Sequence, residues 1–416
     1  MALPRVVDWK NACALPLRLW WLLMTSWAPT RLSEVLSIKH GFAFAGAAFS
    51  DDLGFPTLMT PGNFSVGGGF KEAKPKTFVG EFSPEYLLTP GDVVVTMTDL
   101  SRSADTLGYS ATIPNNGRNY LHNQRIGKVV IIDDERADLG FVSYLLRGRE
   151  YRHHVVAGAS GSTVKHTSPA RIESFVAKLP RVDEQRRIAS VLGTFDDLIE
   201  TNLTQIASSR ELAHELFARA ATDQPKIPFG DIATLVRDGV KAADIAPNAV
   251  YLALDNFATD GGGIQSVGTA AGIDSSKLRF HAGDVLYGRL RPYFRKYDRP
   301  GYEGVCSTEI WVLRPRATVG AATLEAIVSQ PAFTEFAMAG SGGTRMPRAN
   351  WNHVATMPVA LPSHGERDEL DAVLEELWTI SVNLHNEVAE LTRARDELLP
   401  LLMSGKVRVE ESFEVA

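Results

Sequence analysis

The sequence predicts an α+β fold made of two globular domains, each followed by one long helix. The main observation is a repeat, because residues 365–403 reproduce the pattern of residues 183–221 without a gap at an offset of 182 (340 − 158, from Gly340 and Gly158). The second observation is that strand-like segments and glycine-rich turns precede both copies. The third is a segment with two prolines, TDQPKIP at 222–228, which separates the two halves. Repetition over this length predicts two copies of one structural unit.

Both long segments have the apolar spacing of coiled-coil helices. Apolar residues recur at mixed three- and four-residue intervals, which gives each helix one narrow apolar stripe. The stripe residues are Ile188, Leu192, Phe195, Ile199, Ile206, Ala213 and Phe217 in the first copy, and Leu370, Leu374, Leu377, Leu384, Val388, Leu391 and Leu398 in the second. At 1.5 Å per residue, either helix reaches about 55–60 Å, longer than a small domain is wide. The alternative, two ordinary core helices, fits this length less well.

Asn202 interrupts the apolar stripe of the first helix, and Leu384 occupies the same position in the second. A buried asparagine can set the register of a coiled coil, whereas an exposed one cannot. The sequence leaves both interpretations open.

Composition predicts a soluble chain of more than one domain, with 416 residues of which 44% are hydrophobic and 22% charged. The two cysteines, Cys13 and Cys306, make neither a disulfide framework nor a zinc cluster, so we expect a cytoplasmic protein. The formal charge of −6 argues against a general polyanion binder. Much of the acid is concentrated on the second long helix and the tail, at Glu366, Asp368, Glu369, Asp371, Glu375, Glu376, Glu410, Glu411 and Glu414.

Residues 1–30 form an atypical N-terminal extension. The segment ACALPLRLWWLLMTSWA superficially resembles a secretory signal, but Pro16 and Arg18 interrupt it, and it is too short to span a bilayer. We expect translation to begin naturally at Met24 rather than at Met1.

The rest of the chain divides into two heads, two helices, a linker and a tail. The predicted bounds are 31–180 for the first head, 181–221 for its helix, 222–228 for the linker, 229–362 for the second head, 363–404 for its helix and 405–416 for the tail. Strand candidates are GDVVVTMT (91–98), RIGKVVIID (125–133) and GDVLYGRL (283–290). The segments 141–156 and 324–338 each predict one short helix. Residues 99–124 and 291–305 share no likeness, so the heads are predicted to act on different targets.

Catalytic motifs are missing from the sequence. It contains no GxxxxGK[ST] phosphate-binding loop, GxSxG nucleophile motif, HExxH or paired CxxC. It also lacks the Asn-Pro-Pro-aromatic motif of amino-methyltransferases. The pair His153-His154 is interpreted as a solvated helix face rather than as two metal ligands. We therefore predict a chain without catalytic residues, cofactor or metal.

Basic residues interleaved with aromatic ones point to nucleic acid instead. Arginine and lysine neutralise phosphates, and arginine also binds guanine through two hydrogen bonds in the major groove. The segment YGRLRPYFRKYDRP (287–300) and the loop TRMPRANW (344–351) carry these residues in the second head, and STVKHTSP (162–169) is the matching loop of the first. The candidate DNA-binding residues are Arg102, Arg118, Arg125, Lys165, His166, Arg289, Arg291, Arg295, Lys296, Arg345 and Arg348. The alternative for any one of them is a solvated surface residue.

The chain resembles the specificity subunits of type I restriction–modification systems. LPRVDEQRRIASVLGTFDDLIE (179–200) is similar to the family's first conserved helical region, and RDELLPLLMSGKVRV (395–409) is similar to its C-terminal signature. The resemblance covers residues 31–410, with Arg367 standing where the first copy has Gln185. It implies two target-recognition domains, with the two long helices pairing as an antiparallel coiled coil of pseudo-two-fold symmetry.

The same resemblance implies the function and the partners. Each head would read one half of an asymmetric, split target in double-stranded DNA, and the helices would set the spacer between the halves. Two methyltransferase subunits would dock on the helices and supply S-adenosylmethionine chemistry, and motor–nuclease subunits would supply ATP and Mg²⁺ chemistry. The main alternative is a scaffold whose heads bind proteins, and a stand-alone nuclease or methyltransferase is a third, less supported class. Membrane binding is not expected.

Overall fold

The computed structural model of the protein describes residues 27–342 and 346–410. Within this part, the chain divides into two units. The first unit runs to Asp197 and resumes at Thr392, and the second is Leu198–Leu391. Each unit holds one strand-rich head together with parts of both long helices. The expected start at Met24 and the unusual run before Trp27 lie outside the described residues.

The first head contains thirteen strands, three short helices and the start of the first long helix. The strands are β1 Ala28–Arg31, β2 Leu36–His40, β3 Phe49–Ser50, β4 Thr57–Met59, β5 Thr77–Phe78, β6 Leu87–Leu88, β7 Val93–Thr96, β8 Thr98–Asp99, β9 Ser110–Thr112, β10 Tyr120–His122, β11 Ile126–Ile131, β12 Lys165–His166 and β13 Val176–Leu179. The helices are α1 Leu139–Leu145, α2 Arg149–Ala157, α3 Pro169–Glu173 and the long α4 Val182–Ala220.

The second head and its helix follow the same plan. The strands are β14 Lys226–Pro228, β15 Ala233–Val236, β16 Gly239–Val240, β17 Val250–Leu252, β18 Gly268–Thr269, β19 Lys277–Phe280, β20 Val285–Gly288, β21 Tyr297–Asp298, β22 Gly304–Cys306, β23 Ile310–Pro315 and β24 Pro358–Ala360. The helices are α5 Ala321–Ser329, α6 Pro331–Ala339, α7 Trp351–Val354 and the long α8 His364–Met403. The strand candidates of the sequence correspond to β7, β11 and β20.

Each head is built on one four-stranded and one five-stranded sheet. The four-stranded sheets have the orders β2-β11-β7-β9 and β15-β23-β20-β21. The five-stranded sheets have the orders β3-β5-β4-β10-β6 and β16-β19-β22-β17-β18, and each contains one parallel pair, β4 with β10 and β17 with β22. A two-stranded sheet joins the start of each head to the strand before the long helix, as β1-β13 and β14-β24.

The helices of the two units keep the spacing found in the sequence. The helices α5, α6, α7 and α8 begin at 321, 331, 351 and 364, each 182 residues after α1, α2, α3 and α4 at 139, 149, 169 and 182 (321 − 139 = 182). The four-stranded sheets have equivalent orders in the two heads, whereas the five-stranded sheets differ at one strand, because β3 pairs with β5 but β16 pairs with β19. The expected α+β fold is confirmed.

Each segment predicted as one short helix is in fact two helices. The run 141–156 breaks between α1 and α2, where Gly148 has an extended backbone with φ −65° and ψ 146°. The run 324–338 breaks at Gln330, which is extended because Pro331 follows it. Pro331 then begins α6, a position where its missing N–H costs no helical hydrogen bond. The apolar spacing continues through both breaks, which is why it predicted a single helix.

The two long helices pair antiparallel within both units. In the first unit, Ile188 and Leu192 near the start of α4 share a core with Leu402 at the end of α8. In the second unit, Phe217 near the end of α4 shares a core with Leu374 near the start of α8. The helices are 39 and 40 residues long, so each measures about 60 Å. Asn202 is 6% exposed, which makes it a buried polar residue of this pair.

Gln185 and Arg367 make equivalent contacts although their side chains differ. The Gln185 amide donates from Nε2 to the carbonyl of Arg136 at 2.8 Å, and its Oε1 accepts from the N–H of Asp138, the residue that caps α1. At the repeat offset, Arg367 donates from Nη1 to the carbonyl of Thr318 at 2.9 Å. Since 318 is 136 + 182, the arginine holds the same backbone position as the glutamine. The substitution therefore preserves the anchoring of the head to its long helix.

Candidate nucleic-acid interface

The arginine-rich segment of the second head is the loop of a β-hairpin. Strands β20 and β21 pair antiparallel, with Leu286 opposite Asp298 and Tyr287 opposite Tyr297. The loop between them, residues 289–296, contains Arg291 at φ 52° and Arg295 at φ 50°. For any residue other than glycine, the left-handed conformation is less stable by on the order of 1 kcal/mol or more, because the Cβ atom comes too close to the backbone. Strain of this kind is concentrated at functional sites.

Two of the five basic side chains in this segment are used to hold the loop. Arg295 donates from Nη2 to the carbonyl of Ser329 at 2.9 Å, and Lys296 donates from Nζ to the carbonyl of Leu254 at 2.7 Å. Arg299, at the foot of the hairpin, is buried. Arg291 is exposed and Arg289 is half-buried. The charges of Arg289 and Arg291 are therefore the ones that this loop presents at the surface.

A second segment, Gly342 together with residues 346–350, lies against the hairpin loop. The N–H of Arg291 donates to the carbonyl of Pro347 at 2.8 Å, and the N–H of Ala349 donates to the carbonyl of Arg289 at 2.9 Å. Arg348 is exposed and forms a two-pronged ion pair with Glu309, with N···O distances of 3.0–3.1 Å. These bonds bring Arg289, Arg291 and Arg348 together. Arg345 lies outside the described residues.

A cavity of about 480 Å³ opens where these loops meet. Its charged and polar lining comes from Arg237, Arg289, Thr308, Arg348, Asn350 and Asn352, and its aromatic lining from Trp311 and Trp351. The Nε of Arg289 is buried without a hydrogen-bond partner among the described residues. Guanidinium groups bind phosphate and guanine through paired hydrogen bonds, and asparagine does the same with adenine. The lining therefore combines groups for the DNA backbone with groups for base edges.

The first head places different side chains on the matching loops. Ser160 pairs with His166 through an isolated β-bridge, and Gly342 pairs with Arg348 in the same way 182 residues later. Strand β12 pairs with β8, so Lys165 lies opposite Asp99 and His166 lies opposite Thr98. The Oγ1 of Thr98 is 3.1 Å from the Nδ1 of His166. Lys165 and His166 thus occupy the place that Pro347 and Arg348 occupy in the second head.

Asp99 organises the loop that carries Arg102. Its carboxylate accepts hydrogen bonds from the N–H groups of Ser101 and Thr106, at 2.6 Å and 2.5 Å, and from the hydroxyl of Thr106 at 2.7 Å. Burial by itself raises the pKa of Asp99, but these hydrogen bonds outweigh it and hold the pKa below its usual value. The carboxylate therefore stays ionised and bound to its own loop, with Arg102 exposed beside it.

The structure groups four of the five candidates in the first head. Arg125 is exposed, and its carbonyl accepts from the N–H of Met97, the residue before β8. It therefore lies beside the strand that pairs with Lys165 and His166. Arg118 lies instead in the loop before β10, where its guanidinium is 3.8 Å from Glu72. Nothing in its contacts connects Arg118 with the other four.

Sequence reasoning missed Arg237, which lines the cavity from the end of β15. It stands in VRDGVK with one lysine and no aromatic residue nearby, so no pattern of basic and aromatic residues marks it. Sequence reasoning also missed Glu309 and Asp99, which hold the loops. A carboxylate repels a polyanion, so nothing in the sequence associates either acid with such a site. The prediction that His153 and His154 both lie on a solvated helix face is confirmed for His153, which is exposed. It is wrong for His154, which is half-buried with its Nε2 3.0 Å from the carbonyl oxygen of Arg171.

No helix among the described residues is long and apolar enough to cross a membrane. The same part of the chain holds no group of three or more His, Cys, Asp or Glu side chains arranged to bind a metal ion.

Comparisons with known proteins agree on one family. Residues 24–208 match the type I restriction modification DNA specificity domain. The type I restriction enzyme EcoDI specificity subunit of Escherichia coli is 23% identical over 315 residues, which cover 64% of this chain and 70% of that protein. The crystal structure of a type I restriction–modification S subunit from M. genitalium is similar in fold, with a TM-score of 0.56 and 15% identity over 90% of this chain and 96% of that chain.

Proposed function

We propose that this chain, which belongs to the specificity subunits of type I restriction–modification systems, reads a split DNA target, one half with each head. The observation that carries the proposal is the pair of loops in the second head. They bring Arg289, Arg291 and Arg348 to one surface beside a cavity with asparagine and tryptophan side chains. Such a surface can position phosphates and also read base edges.

The target is proposed to be asymmetric because the matching loops differ in chemistry. Arg348 of the second head corresponds to His166 of the first. Arg291, which follows β20, corresponds to Asp99, which follows β7 and binds the backbone of its own loop. A different set of donors favours a different base sequence. Each contact is small, and joining two of them in one chain raises the affinity for a target that carries both half-sites at the right distance.

The paired helices are proposed to set that distance and to bind the partner subunits. Their exposed faces carry large apolar side chains in the second unit, at Leu198, Leu203, Leu212, Val373 and Ile380. Exposed apolar residues on a helix pair are a suitable surface for another protein. We infer that two methyltransferase subunits dock on the helices and supply the S-adenosylmethionine chemistry. Motor–nuclease subunits would add ATP and Mg²⁺ chemistry, and this chain would contribute recognition without catalysis.

The test is to co-purify the chain with its methyltransferase subunit and to map the modified bases in the host genome. We expect a two-part, non-palindromic motif with a spacer of fixed length. The purified complex should bind a duplex with this motif, and its affinity should fall steeply as the salt concentration rises, because phosphate contacts release counterions. A palindromic or uninterrupted motif would refute the split, asymmetric target. Binding to proteins alone, with no salt-dependent binding to DNA, would favour a scaffold.

A further inference from the structure

The foot of the arginine-rich hairpin lies in a buried charge network that also includes both long helices. Strand β21 ends at Asp298, and Arg299 follows it. The side chain of Arg299 is 1% exposed, although it is a full charge. The partners of these two residues come from α4, α5 and α8, so the network is the place where the second head is joined to the helix pair.

Arg299 is held mainly by α8. Its Nη1 donates to Glu375 at 2.8 Å, and its guanidinium lies 3.8 Å from the centroid of the Trp378 ring. The indole N–H of Trp378 donates to the carbonyl of Arg299 at 2.8 Å. The Nε of Arg299 donates to Glu325 of α5 at 3.1 Å. One arginine is thus fixed through its charge, its flat face and its backbone at once.

Arg210 makes the corresponding connection from α4. Its Nη2 donates to Asp298 at 2.8 Å, and its Nη1 donates to the carbonyl of Gly261 at 3.0 Å. The N–H of Gly261 donates in turn to the carbonyl of Arg295, one of the two left-handed residues of the hairpin loop. Asp298 also accepts from the N–H of Ile264 at 2.6 Å. A short chain of hydrogen bonds therefore runs from α4 to the loop that presents Arg289 and Arg291.

The first unit fastens its head at the same helix position with other chemistry. Position 196 of α4 corresponds to 378 of α8 (378 − 196 = 182). Asp196 accepts from the hydroxyl of Tyr144 at 2.8 Å, from Arg147 at 3.1 Å and from Arg395 at 2.6 Å. Both heads thus depend on a directional polar contact at this position of the helix.

A polar network is a poor way to gain stability, because removing charges from water costs free energy that their attraction only partly returns. It does, however, impose one geometry, since hydrogen bonds and forked ion pairs tolerate little rotation. An apolar contact of the same size would let the head settle at several angles. The network therefore fits a role in orientation better than a role in holding the fold together.

We propose that Arg210 and Arg299 are positioning residues, which fix the arginine-rich hairpin at one angle on the paired helices and so determine how strictly the spacer of the DNA target is measured. The inference rests on the proposed function, because a spacer exists only for a split target. It assigns a measuring role to residues of the second head as well as to the length of the helices. Neither residue needs to touch DNA.

The test uses the complete complex with its methyltransferase subunits and the target found by genome mapping. Binding is measured on duplexes with the native spacer and with spacers one base pair shorter and longer. The variants are Arg299→Lys, which keeps the charge and loses the guanidinium group, and Trp378→Phe, which keeps an aromatic face but is smaller and loses the N–H. The matched control is Arg316→Lys, an exposed arginine beyond the far end of β23.

We expect wild type and Arg316→Lys to prefer the native spacer by tenfold or more. In both network variants this preference should fall to threefold or less, while the preferred bases of each half-site stay the same. Equal weakening on all three spacers, with the preference retained, would mean that the network is only structural and would overturn the proposal. Since Trp378→Phe leaves every charge of the network in place, it keeps the test decisive where Arg299→Lys fails to fold. A wild-type complex that binds all three spacers alike would overturn the proposed function itself.

Discussion

Arg291 and its neighbours show how few side chains of a basic cluster remain available to a ligand once the others bind groups of the protein itself. Of the basic residues at 289–299, Arg295, Lys296 and Arg299 donate to protein groups, whereas Arg291 is exposed and Arg289 faces the cavity. The carbonyls of Ser329 and Leu254, which accept the hydrogen bonds of Arg295 and Lys296, are far away in the sequence. The sequence could therefore locate the cluster but could not divide it into side chains that bind the protein and side chains that do not.

Replacing Arg289 and Arg291 together with alanine should weaken recognition of the second half-site. A good contact between arginine and a base edge is worth about 1–3 kcal/mol, so losing one or two should lower affinity about 10-fold to 100-fold. The base preference at the first half-site should stay the same. Binding of the double variant to a panel of single-base changes across the target would measure this.

The control for that change is Arg316→Ala, which removes an exposed charge at the end of the six-residue strand β23 away from Glu309, about 20 Å along the strand. It should leave the affinity near that of wild type. Full affinity of the double variant would remove both arginines from the site.

At the scale of elements, the periodicity of the long helices was readable and the breaks in the short ones were not. Stripe residues such as Ile188 and Leu374 are buried where the pattern placed them. The break at Gln330 follows from Pro331, a local signal, but the break before Gly148 does not interrupt the apolar spacing. The burial of Asn202 depends on how the two helices face each other, which no single helix pattern contains. Local sequence signals thus predict where helices occur, whereas the packing of the folded chain determines where they end and which of their faces are buried.

The contact of α5 with the hairpin and the long helices should make the stability of the second unit depend on pH. Burial is the main cause that raises the pKa of Glu325, and Asp298 adds to it, while Arg299 and Arg210 offset part of the rise, so that the pKa is about 7. Glu375 is the remaining acid that binds Arg299 there. Because the folded protein then holds a proton that the unfolded chain has released, this carboxyl stabilises the fold fully below its unfolded pKa. That stabilisation is lost as the pH rises towards 7.

The variant Glu325→Gln should flatten this dependence, by at most about 1.4 kcal/mol per pH unit for one proton. Amide hydrogen exchange of residues 321–329 between pH 5 and pH 7.5 would report the opening free energy of α5, once the intrinsic exchange rates are corrected for pH. The matched control is Glu335→Gln on the exposed face of α6, which should keep the wild-type slope. The same slope in Glu325→Gln and wild type would show that this carboxyl is ionised throughout the range.

For the whole molecule, the informative property is that two heads of similar topology are each followed by a long helix, and that the two helices differ by one residue in length. The four-stranded sheets match strand for strand, the five-stranded sheets differ in where the first strand pairs, and α4 and α8 contain 39 and 40 residues. The repeat offset predicted helices of similar length, since a gapless alignment leaves no room for helices of very different length. The structures of the segments 99–124 and 291–305 could not be predicted from the repeat, because neither segment has a similar sequence in the other copy. The repeated elements and the diverged loops thus occupy separate segments of the chain.

That separation predicts the outcome of lengthening the helices. Seven residues of coiled-coil pattern inserted after Thr201 in α4 and after Asn383 in α8, the same position at the repeat offset, keep the apolar stripe continuous in both helices. One heptad adds about 10 Å to a helix, which equals about three base-pair rises of DNA. The variant complex should therefore modify a target with both original half-sites and a longer spacer. The same insertion in α4 alone leaves seven residues without a partner in α8, so it should abolish specific binding.

Mapping modified bases in a host that carries each variant would distinguish these results. An unchanged spacer after the double insertion would show that the helices do not determine the spacer length. Altered half-sites would show that the helices also influence which bases are recognised.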